Sequence, residues 1–465
     1  MAQSIKFGTD GWRAIIADDY TVENVKRIAT GTALWLVSKG ATKVAIGHDS
    51  RFGGQLFAET TARVMGAHGL KVNLAKGFVS TPMVSLAVVL SRSDLGIVIT
   101  ASHNPPSYNG FKLKSSFGGP SIPSDVDAVE ALIPAENITT VLPSLDEMLN
   151  AGLLNYMDME AAYENHARTS FDIPSIQNVG LAFDAMYGAG QRIVPKLLPN
   201  AVALHCEYNP GFNGQAPEPI ARNLHELSAL IASRDDIKVG LANDGDADRI
   251  GMFDASGNFV DSHHILLLLL HYQHKYKGLT GKVVVTFSVT DKMRKLAELY
   301  NLPFEVTKIG FKYIAEIMMT EDVLVGGEES GGLAVKGHIP ERDGAWIGLM
   351  ILEFMAKTGK TLEELIQEVY DLVGSFATDR DDLHIQESQK QSIIANCKAR
   401  TYTAFGDYKV QNVEDLDGFK FFLSDSEWLM IRPSGTEPVL RVYAQAANAA
   451  DARKILDAAK AMLLG

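Results

Sequence analysis

The sequence is poor in the features that mark secreted and membrane proteins. Its 465 residues include only two cysteines, Cys206 and Cys397, which excludes a disulfide framework and a cysteine-based metal site. The longest aliphatic run, 265–270, is far below the ~20 residues that a membrane-spanning helix needs. The first residues lack the charged start and apolar stretch of a secretion signal. We therefore expect a cytoplasmic protein with no membrane partner.

Positive charge is also in deficit. The chain has 43 basic and 56 acidic residues, a net charge of −13, which argues against general binding to nucleic acid or anionic membranes. The hydrophobic fraction of 46% is that of an ordinary globular protein, and the length is too great for one hydrophobic core. Several domains are expected, and an anionic small substrate would need a locally cationic cleft.

One order of strands and helices occurs three times, and each copy ends in a polar loop. The opening strands of the copies are predicted at 43–47, 179–184 and 282–286, and the closing strands at 95–100, 238–241 and 323–325. Alternating strands and helices indicate doubly wound, parallel α/β domains. Ligands bind at the carboxyl ends of such strands, so the three loops are expected to face one cleft.

The last part of the chain has a different pattern. After a helix-like stretch at 362–373, residues 374–382 are interpreted as a linker, and the remainder alternates helices and strands as a smaller α+β domain. The predicted fold class is therefore α/β, with three similar doubly wound domains and an α+β C-terminal domain. The predicted boundaries are 1–150, 151–256, 257–373 and 374–465.

The loop of the first copy presents a serine. Ser102 lies in the segment TASHNPPSYNGFK, directly after an apolar, β-branched strand, as expected for a hydroxyl that carries a phosphoryl group. A polar turn residue or helix cap is the alternative. The second copy has an acidic loop of the kind that binds metal ions at the equivalent position, and this favours a functional role for Ser102.

That second loop, NDGDADR at 243–249, holds three alternating acids, Asp244, Asp246 and Asp248. In an extended stretch their side chains would point the same way and bind a divalent cation, most naturally Mg²⁺. An EF-hand would need glycine and glutamate where Arg249 and Ala255 stand. A phosphate on Ser102 would supply a further oxygen ligand, whereas a solvated acidic turn would leave three repelling charges.

Two further loops suit a phosphosugar. Loop GEESGG at 327–332 places Glu328, Glu329 and Ser330 between glycines, which suits hydrogen bonds to adjacent sugar hydroxyls, although acidic glycine-rich turns are common. Loop RPSGTEP at 432–438, with Arg441 after it, suits a phosphate dianion, because arginine forks match phosphate oxygens. The phosphate-binding set is Arg432, Ser434, Gly435, Thr436 and Arg441.

Together the four loops resemble those of the α-D-phosphohexomutase superfamily, the phosphoglucomutases and phosphomannomutases, over essentially the whole chain. The resemblance implies a heart-shaped, four-domain enzyme whose last domain is a mobile lid. It makes Ser102 the phosphorylated serine and a metal ligand, the three aspartates Mg²⁺ ligands, and Glu328 and Ser330 the contacts of the 3- and 4-hydroxyls. The arginine loop would hold the nonreacting phosphate.

The resemblance also assigns residues near the chemistry. The opening KFGTDGWR is similar to that of the family and places Arg13 near the phosphoserine. Lys112 matches the family's candidate general acid/base, and Arg249 and His103 are possible helpers. Each has a structural alternative. Lys112 could be a surface lysine, Arg249 an ion-pair partner of the aspartates, and His103 a residue that hydrogen-bonds to the site without touching the substrate.

The implied reaction converts a hexose 1-phosphate into the 6-phosphate through phospho-Ser102 and a hexose 1,6-bisphosphate, which also activates the enzyme. Glu329 and Gly332 stand where other branches often have glutamine and histidine, and Lys312 in Gly-Phe-Lys is a possible sugar contact. These residues favour glucose. Phosphomannomutase, dual-specificity and phosphopentomutase activities, a phosphatase, and a noncatalytic sugar-phosphate binder are the alternatives. A monomer or homodimer is expected.

Overall fold

The computed structural model describes residues 5–8, 10–433 and 439–464. The chain divides into two compact units. The first unit comprises the described residues up to 281 together with 310–365, and the second comprises 282–309 together with the described residues from 366 onward. Every helix in the described ranges is too short or too polar to span a bilayer. The α/β fold class predicted from the sequence is confirmed.

A six-stranded mixed sheet occupies the start of the first unit. Its strands lie in the order β1-β5-β4-β2-β3-β6; β2, β3, β4 and β6 are parallel, and β5 runs antiparallel to β4. Helices α1, α2 and α3 bury apolar faces against it. The elements are β1 (Trp12–Ile15), α1 (Val22–Ser38), β2 (Lys43–His48), α2 (Gly54–Ala67), β3 (Lys71–Ala75), α3 (Thr81–Ser91), β4 (Leu95–Ile99), β5 (Tyr108–Ser115), α4 (Pro123–Ala131), α5 (Leu145–Asn150) and β6 (Leu154–Met157).

A five-stranded sheet follows in the same unit, in the order β11-β10-β9-β7-β8. Strand β7 pairs in parallel with β8 and β9, and β10 returns antiparallel to β9. The elements are α6 (Met159–Ser170), α7 (Ile173–Ile176), β7 (Leu181–Asp184), α8 (Ile193–Leu197), β8 (Val202–Leu204), α9 (His225–Ala232), β9 (Val239–Asn243), β10 (Ile250–Phe253), β11 (Phe259–Val260) and α10 (Ser262–His271).

The third copy contributes to both units. In the second unit, β12 (Lys282–Thr286) pairs in parallel with β13 (Phe304–Thr307), with α11 (Lys292–Leu299) between them. In the first unit, β14 (Val323–Gly327) pairs antiparallel with β15 (Leu333–Val335). The helices of this region are α12 (Phe311–Thr320), α13 (Gly344–Thr358) and α14 (Leu362–Val373).

The remainder of the second unit is an antiparallel sheet in the order β16-β22-β21-β20-β19, covered by two helices. Buried Ile455, Leu456 and Ala459 of the last helix pack in the same core as Leu440 and Val442. The elements are β16 (Ala377–His384), α15 (Glu387–Lys398), β17 (Ala404–Phe405), β18 (Tyr408–Lys409), β19 (Asn412–Glu414), β20 (Phe419–Phe422), β21 (Trp428–Pro433), β22 (Val439–Ala446) and α16 (Ala449–Leu464).

The linker interpretation of 374–382 is wrong. Strand β16 begins at Ala377 and pairs with β22 along its whole length. Its charged sequence, ATDRDDLH, hid the strand, because an edge strand exposes one side and tolerates charges there. Arg453 of α16 neutralises two of these charges, with its Nη1 3.1 Å from Asp379 and its Nη2 2.5 Å from Asp381.

Each of the three polar loops connects two antiparallel neighbours. The loops join β4 to β5, β9 to β10 and β14 to β15. The sequence pattern predicted the strand before each loop but not the antiparallel strand that follows it. Every loop is therefore held at both of its ends by the same sheet.

Candidate active site

The serine loop begins at the carboxyl end of β4 and turns sharply. Ser102 is 1% exposed and its φ of +53° is left-handed, an uncommon conformation for a residue with a side chain. Its N–H donates to Thr100 Oγ1 over 2.9 Å, and its Oγ donates to Asp244 Oδ2 over 2.8 Å. The hydroxyl is therefore directed at the aspartate loop.

The aspartate loop brings its three carboxylates together. Asp244, Asp246 and Asp248 are fully buried, and one oxygen of each lies within 4.8 Å of the others. The loop is a turn rather than the extended stretch expected from the alternation: Ala247 has a φ of +57°, and its N–H donates to the Asp244 carbonyl over 3.0 Å. The convergence was predicted correctly, although its geometric reason was not.

The chemistry of this cluster fits a divalent cation. Within the described residues, Asp246 Oδ1 and Asp248 Oδ1 are buried and accept no hydrogen bond. Burial and the two neighbouring acids raise the pKa of Asp244 well above its ordinary value. Hard carboxylate oxygens that lack partners and repel one another are the donor set that Mg²⁺ takes in proteins. The three aspartates could therefore hold a metal ion.

Two buried cations already lie against the cluster. Lys112 Nζ, on β5, is 2.9 Å from Asp246, 3.2 Å from Asp248 and 2.9 Å from Asp10. Arg342 Nη2 is 2.7 Å from Asp248 and also contacts Asp10. Burial alone would lower the pKa of Lys112, but these carboxylates raise it above its ordinary value. Lys112 is thus a charged component of the site rather than a surface lysine.

A neutral donor completes this part of the site. Thr81, the first residue of α3, donates its hydroxyl to Asp246 Oδ2 over 2.6 Å, and its N–H donates to the Asp246 carbonyl over 3.0 Å. Hydrogen bonds to an ionised acceptor favour the charged carboxylate. Helix α3 therefore fixes the middle of the aspartate loop.

The two predicted helpers, His103 and Arg249, and the predicted phosphoserine neighbour Arg13 contact the serine loop or the adjoining aspartate loop. His103 Nδ1 is 3.3 Å from Ser102 Oγ, and burial together with nearby positive charges lowers the pKa of His103 well below its usual value. Arg13 donates to Asn104 Oδ1 over 2.6 Å. The Arg249 N–H donates to Asp244 Oδ1 over 3.0 Å, while its buried Nε makes no hydrogen bond to any described residue.

The predicted sugar loop lies beside the aspartate loop. The Ile250 N–H donates to the Gly331 carbonyl over 3.3 Å. Glu328 is 5% exposed, and burial raises its pKa to about 7. Ser330 is half-buried, and Lys312 Nζ lies 5.3 Å from the ring centroid of Tyr313. The nearby positive charge of Arg342 opposes this rise in the pKa of Glu328.

The second unit carries the arginine loop. Arg432 and Arg441 stand directly opposite each other on β21 and β22. Arg432 Nε is 3.3 Å from Asp417, and Arg441 Nε is 3.9 Å from Asp382. Two guanidinium groups at one cross-strand position repel each other unless an anion lies between or near them. Ser434, Gly435 and Thr436, the other predicted phosphate contacts, lie outside the described residues.

Sequence reasoning missed several polar residues of the site. Asp10, Thr81 and Arg342 contact the aspartate loop or its partners, and Arg51 binds the serine loop. A signal for Arg51 was present, because Asp-Ser-Arg follows the apolar strand β2 as the other loops follow theirs. Asp10 lies in the opening segment KFGTDGWR, but no pattern there indicates a role for it. Nothing in the local pattern marks Arg342.

Comparison with protein families matches four domain models in order. They are described as the α/β/α domains I, II and III and the C-terminal domain of phosphoglucomutase/phosphomannomutase. The matched residues are 4–139 for domain I, 161–257 for domain II, 261–373 for domain III and 391–461 for the C-terminal domain.

Individual proteins agree with these matches. A solved structure of a putative phosphomannomutase from Thermus thermophilus is 33% identical, with a TM-score of 0.88 and coverage of 100% of both chains. A phosphoglucomutase/phosphomannomutase of Thermococcus kodakarensis is 28% identical over 97% of this chain and 96% of its own. A probable phosphoglucosamine mutase of Methanosphaera stadtmanae is 28% identical over 94% of each chain.

Proposed function

Because the chain belongs to the phosphoglucomutase/phosphomannomutase family of mutase enzymes, we propose that it moves a phosphoryl group between O1 and O6 of a hexose through Ser102. The observation that carries the proposal is the 2.8 Å hydrogen bond from Ser102 Oγ to Asp244, within a cluster of three buried aspartates. This contact supports the proposal, because it joins the proposed phosphoryl acceptor to one of the candidate metal ligands.

The reaction runs in two transfers. Phospho-Ser102 gives its phosphoryl group to O6 of a hexose 1-phosphate, the O6 proton passes to a base, and the product is a bound 1,6-bisphosphate. The phosphoryl group on O1 then moves to Ser102 Oγ, O1 takes up a proton, and the 6-phosphate leaves. The hexose 1,6-bisphosphate is thus an intermediate that can also phosphorylate Ser102 in solution.

Asp244, Asp246 and Asp248 would hold Mg²⁺, together with an oxygen on Ser102. When bound, the cation neutralises charge on the transferring phosphoryl group. The protein's own cations act on the same charge. Lys112 lies within 3.2 Å of two of the aspartates, and positive charge held in a buried site needs no reorganisation during transfer.

The proton at the reacting oxygen needs a nearby acid/base group. Lys112 and His103 are the candidates within the described residues, since His103 Nδ1 lies 3.3 Å from Ser102 Oγ. The lowered pKa of His103 leaves its ring neutral and the raised pKa of Lys112 keeps its ammonium protonated, so position rather than pKa supports these two groups. Arg13 and Arg249 would bind phosphoryl oxygens.

The rest of the substrate is assigned to the remaining two loops. Glu328 and Ser330 would accept and donate hydrogen bonds at the 3- and 4-hydroxyls, with Lys312 as a further sugar contact. Arg432 and Arg441, with Ser434, Gly435 and Thr436, would hold the phosphate that does not react. The opposed arginines support this assignment, because they present two guanidinium groups at one cross-strand position.

We propose α-D-glucose 1-phosphate as the substrate, on the grounds of Glu329 and Gly332 in the sugar loop. Glucosamine 1-phosphate is the second candidate, because a relative 28% identical over 94% of this chain is named a probable phosphoglucosamine mutase. Mannose 1-phosphate is the third, from the name of the Thermus structure. We also propose that the domains end at residues 150, 256 and 373. We propose a cytoplasmic protein that is a monomer or a homodimer.

The test measures turnover and the phosphoryl group together. Glucose, glucosamine and mannose 1-phosphates are compared with Mg²⁺ and a trace of the matching 1,6-bisphosphate, while intact mass reports one phosphoryl group on the protein. Ser102→Ala is expected to abolish turnover and phosphorylation while thermal unfolding stays cooperative. Full activity of Ser102→Ala would remove Ser102 from the mechanism, and a preference for glucosamine 1-phosphate would overturn the glucose assignment.

A further inference from the structure

Arg51, at the carboxyl end of β2, is a fully buried arginine that contacts the serine loop through its main chain. It is 1% exposed, and its two terminal nitrogens donate to four carbonyl oxygens between positions 102 and 108. The acceptors are the carbonyls of Ser102 at 2.5 Å, Asn104 at 2.6 Å, Pro105 at 2.9 Å and Tyr108 at 3.1 Å. One side chain therefore binds four main-chain carbonyls of the serine loop.

The guanidinium is itself held in place. Its Nε lies 3.3 Å from Asp49 Oδ2, and its central carbon lies over the ring of Phe212, 4.8 Å from the centroid. The terminal nitrogens use their four N–H groups on the four carbonyls, and the Nε faces Asp49 as an ion-pair contact without a hydrogen bond among the residues that the structure describes. The planar arrangement of those donors is fixed, so the positions of the four carbonyls are fixed with it.

The same group of residues controls the conformation of Ser102. Asp49 Oδ2 accepts the Thr100 hydroxyl over 2.6 Å, and Thr100 Oγ1 in turn accepts the Ser102 N–H. The N–H of Ser102 and its carbonyl are thus both tied to the Asp49–Arg51 pair. These hydrogen bonds stabilise the left-handed backbone of Ser102, a conformation that serine rarely adopts without such contacts.

We propose that Arg51 is a positioning residue for phosphoryl transfer, which sets the main chain of the serine loop so that Ser102 Oγ faces the aspartate loop. The inference rests on the proposed function and adds a residue to it. Arg51 touches no reacting atom in this arrangement, because its contacts with the serine loop are to main-chain carbonyls.

The serine loop packs closely against the aspartate loop at the Ser102 carbonyl. A Cβ built on Gly245 of the aspartate loop would lie 2.5 Å from the Ser102 carbonyl oxygen and 3.4 Å from Arg51 Nη2. The two loops meet at that carbonyl, so a shift of the serine loop changes the distance between Ser102 Oγ and Asp244. A misplacement of about 1 Å is enough to cost about 10²-fold in rate.

The experiment compares Arg51→Lys with Arg63→Lys. Arg63 is a half-buried arginine of the neighbouring helix α2 that donates to the Pro143 carbonyl over 2.7 Å, away from the site. Lysine keeps the charge but has three donors on one nitrogen, so it cannot span four carbonyls. Arg51→Lys is expected to lower kcat about 10²-fold with little change in KM, and to slow phosphorylation of Ser102 by the 1,6-bisphosphate equally.

Binding of Mg²⁺ alone, measured by calorimetry, should be unchanged in Arg51→Lys, since the aspartates keep their own contacts. Arg63→Lys should leave all of these quantities unchanged. A folded Arg51→Lys protein with kcat near the wild-type value, or with only a raised KM, would overturn the proposal. If that variant fails to fold, Thr100→Val tests the same linkage from the Ser102 N–H and must also lower kcat.

Failure of this inference is distinguishable from failure of the proposed function. A wild-type protein that converts no hexose 1-phosphate refutes the function whatever Arg51 does. An active wild-type protein with an equally active Arg51→Lys variant refutes the positioning role alone.

Discussion

Replacing Lys112 by methionine should make the protein depend on Mg²⁺ for stability. The lysine ammonium lies within 3.2 Å of Asp10, Asp246 and Asp248, and its side chain is fully buried. Methionine fills a similar volume without charge. The variant leaves a set of buried carboxylates, of which Asp10 and Asp248 keep their contact with Arg342.

The size of the effect follows from that arrangement. Removing one partner of a buried ion pair costs about 3–5 kcal/mol, because the other charge stays buried without compensation. A divalent cation bound by the aspartates replaces the lost charge, so Mg²⁺ should bind the variant more tightly. Each tenfold gain in affinity adds about 1.4 kcal/mol of stabilisation at saturating Mg²⁺.

Denaturant unfolding with EDTA and with Mg²⁺ measures both quantities. The control is Lys114→Met, two residues along the same strand, where the buried ammonium pairs with Glu341 over 2.6 Å. Both variants should be destabilised in EDTA, but the stabilisation by Mg²⁺ should exceed the wild-type value only for Lys112→Met. Equal stabilisation by Mg²⁺ in all three proteins would refute the assignment of the metal to this cluster.

Three shorter predictions concern Glu328, Gly245 and Arg432. Burial raises the pKa of Glu328 from 4.5 to about 7, so the folded state binds this proton more tightly and stability falls as pH rises across that interval; pH-dependent unfolding of Glu328→Gln should lack this fall. Gly245→Ala brings a Cβ 2.5 Å from the Ser102 carbonyl oxygen, and steady-state kinetics should show kcat lowered about 10²-fold. Arg432→Lys should raise KM about 10-fold or more with a nearly unchanged unfolding midpoint, because the Arg432–Asp417 pair is partly exposed.

The sequence predicted the helices and strands well where the pattern of buried apolar residues alone determines them. Buried β-branched strands such as 282–286 and amphipathic helices such as 362–373 have the bounds expected from their patterns. The pattern failed at β16, where charged residues occupy an edge strand, and at the antiparallel strands after each loop. Their pairing depends on tertiary contacts rather than on local periodicity.

The same distinction applies to the site. The aspartates and Ser102 were found because reactive groups after a buried strand are visible in sequence. The structure gathers the three carboxylates and brings Ser102 within hydrogen-bond distance of Asp244. Arg342 and Thr81 reach the same cluster from distant positions in the chain. A lone arginine or threonine has no local signature, so contacts of this kind need coordinates.

The hairpin form of the three loops bears on how such a protein can change its substrate. Because β4 and β5, β9 and β10, and β14 and β15 each close their loop within one ladder, a loop can be exchanged without altering the register of the sheet. The loop at 327–332, which we propose contacts the sugar, could thus be replaced by that of a relative while the serine and aspartate loops keep their sequences. On the proposed assignment of the loops, sugar preference and phosphoryl transfer can evolve separately on this scaffold.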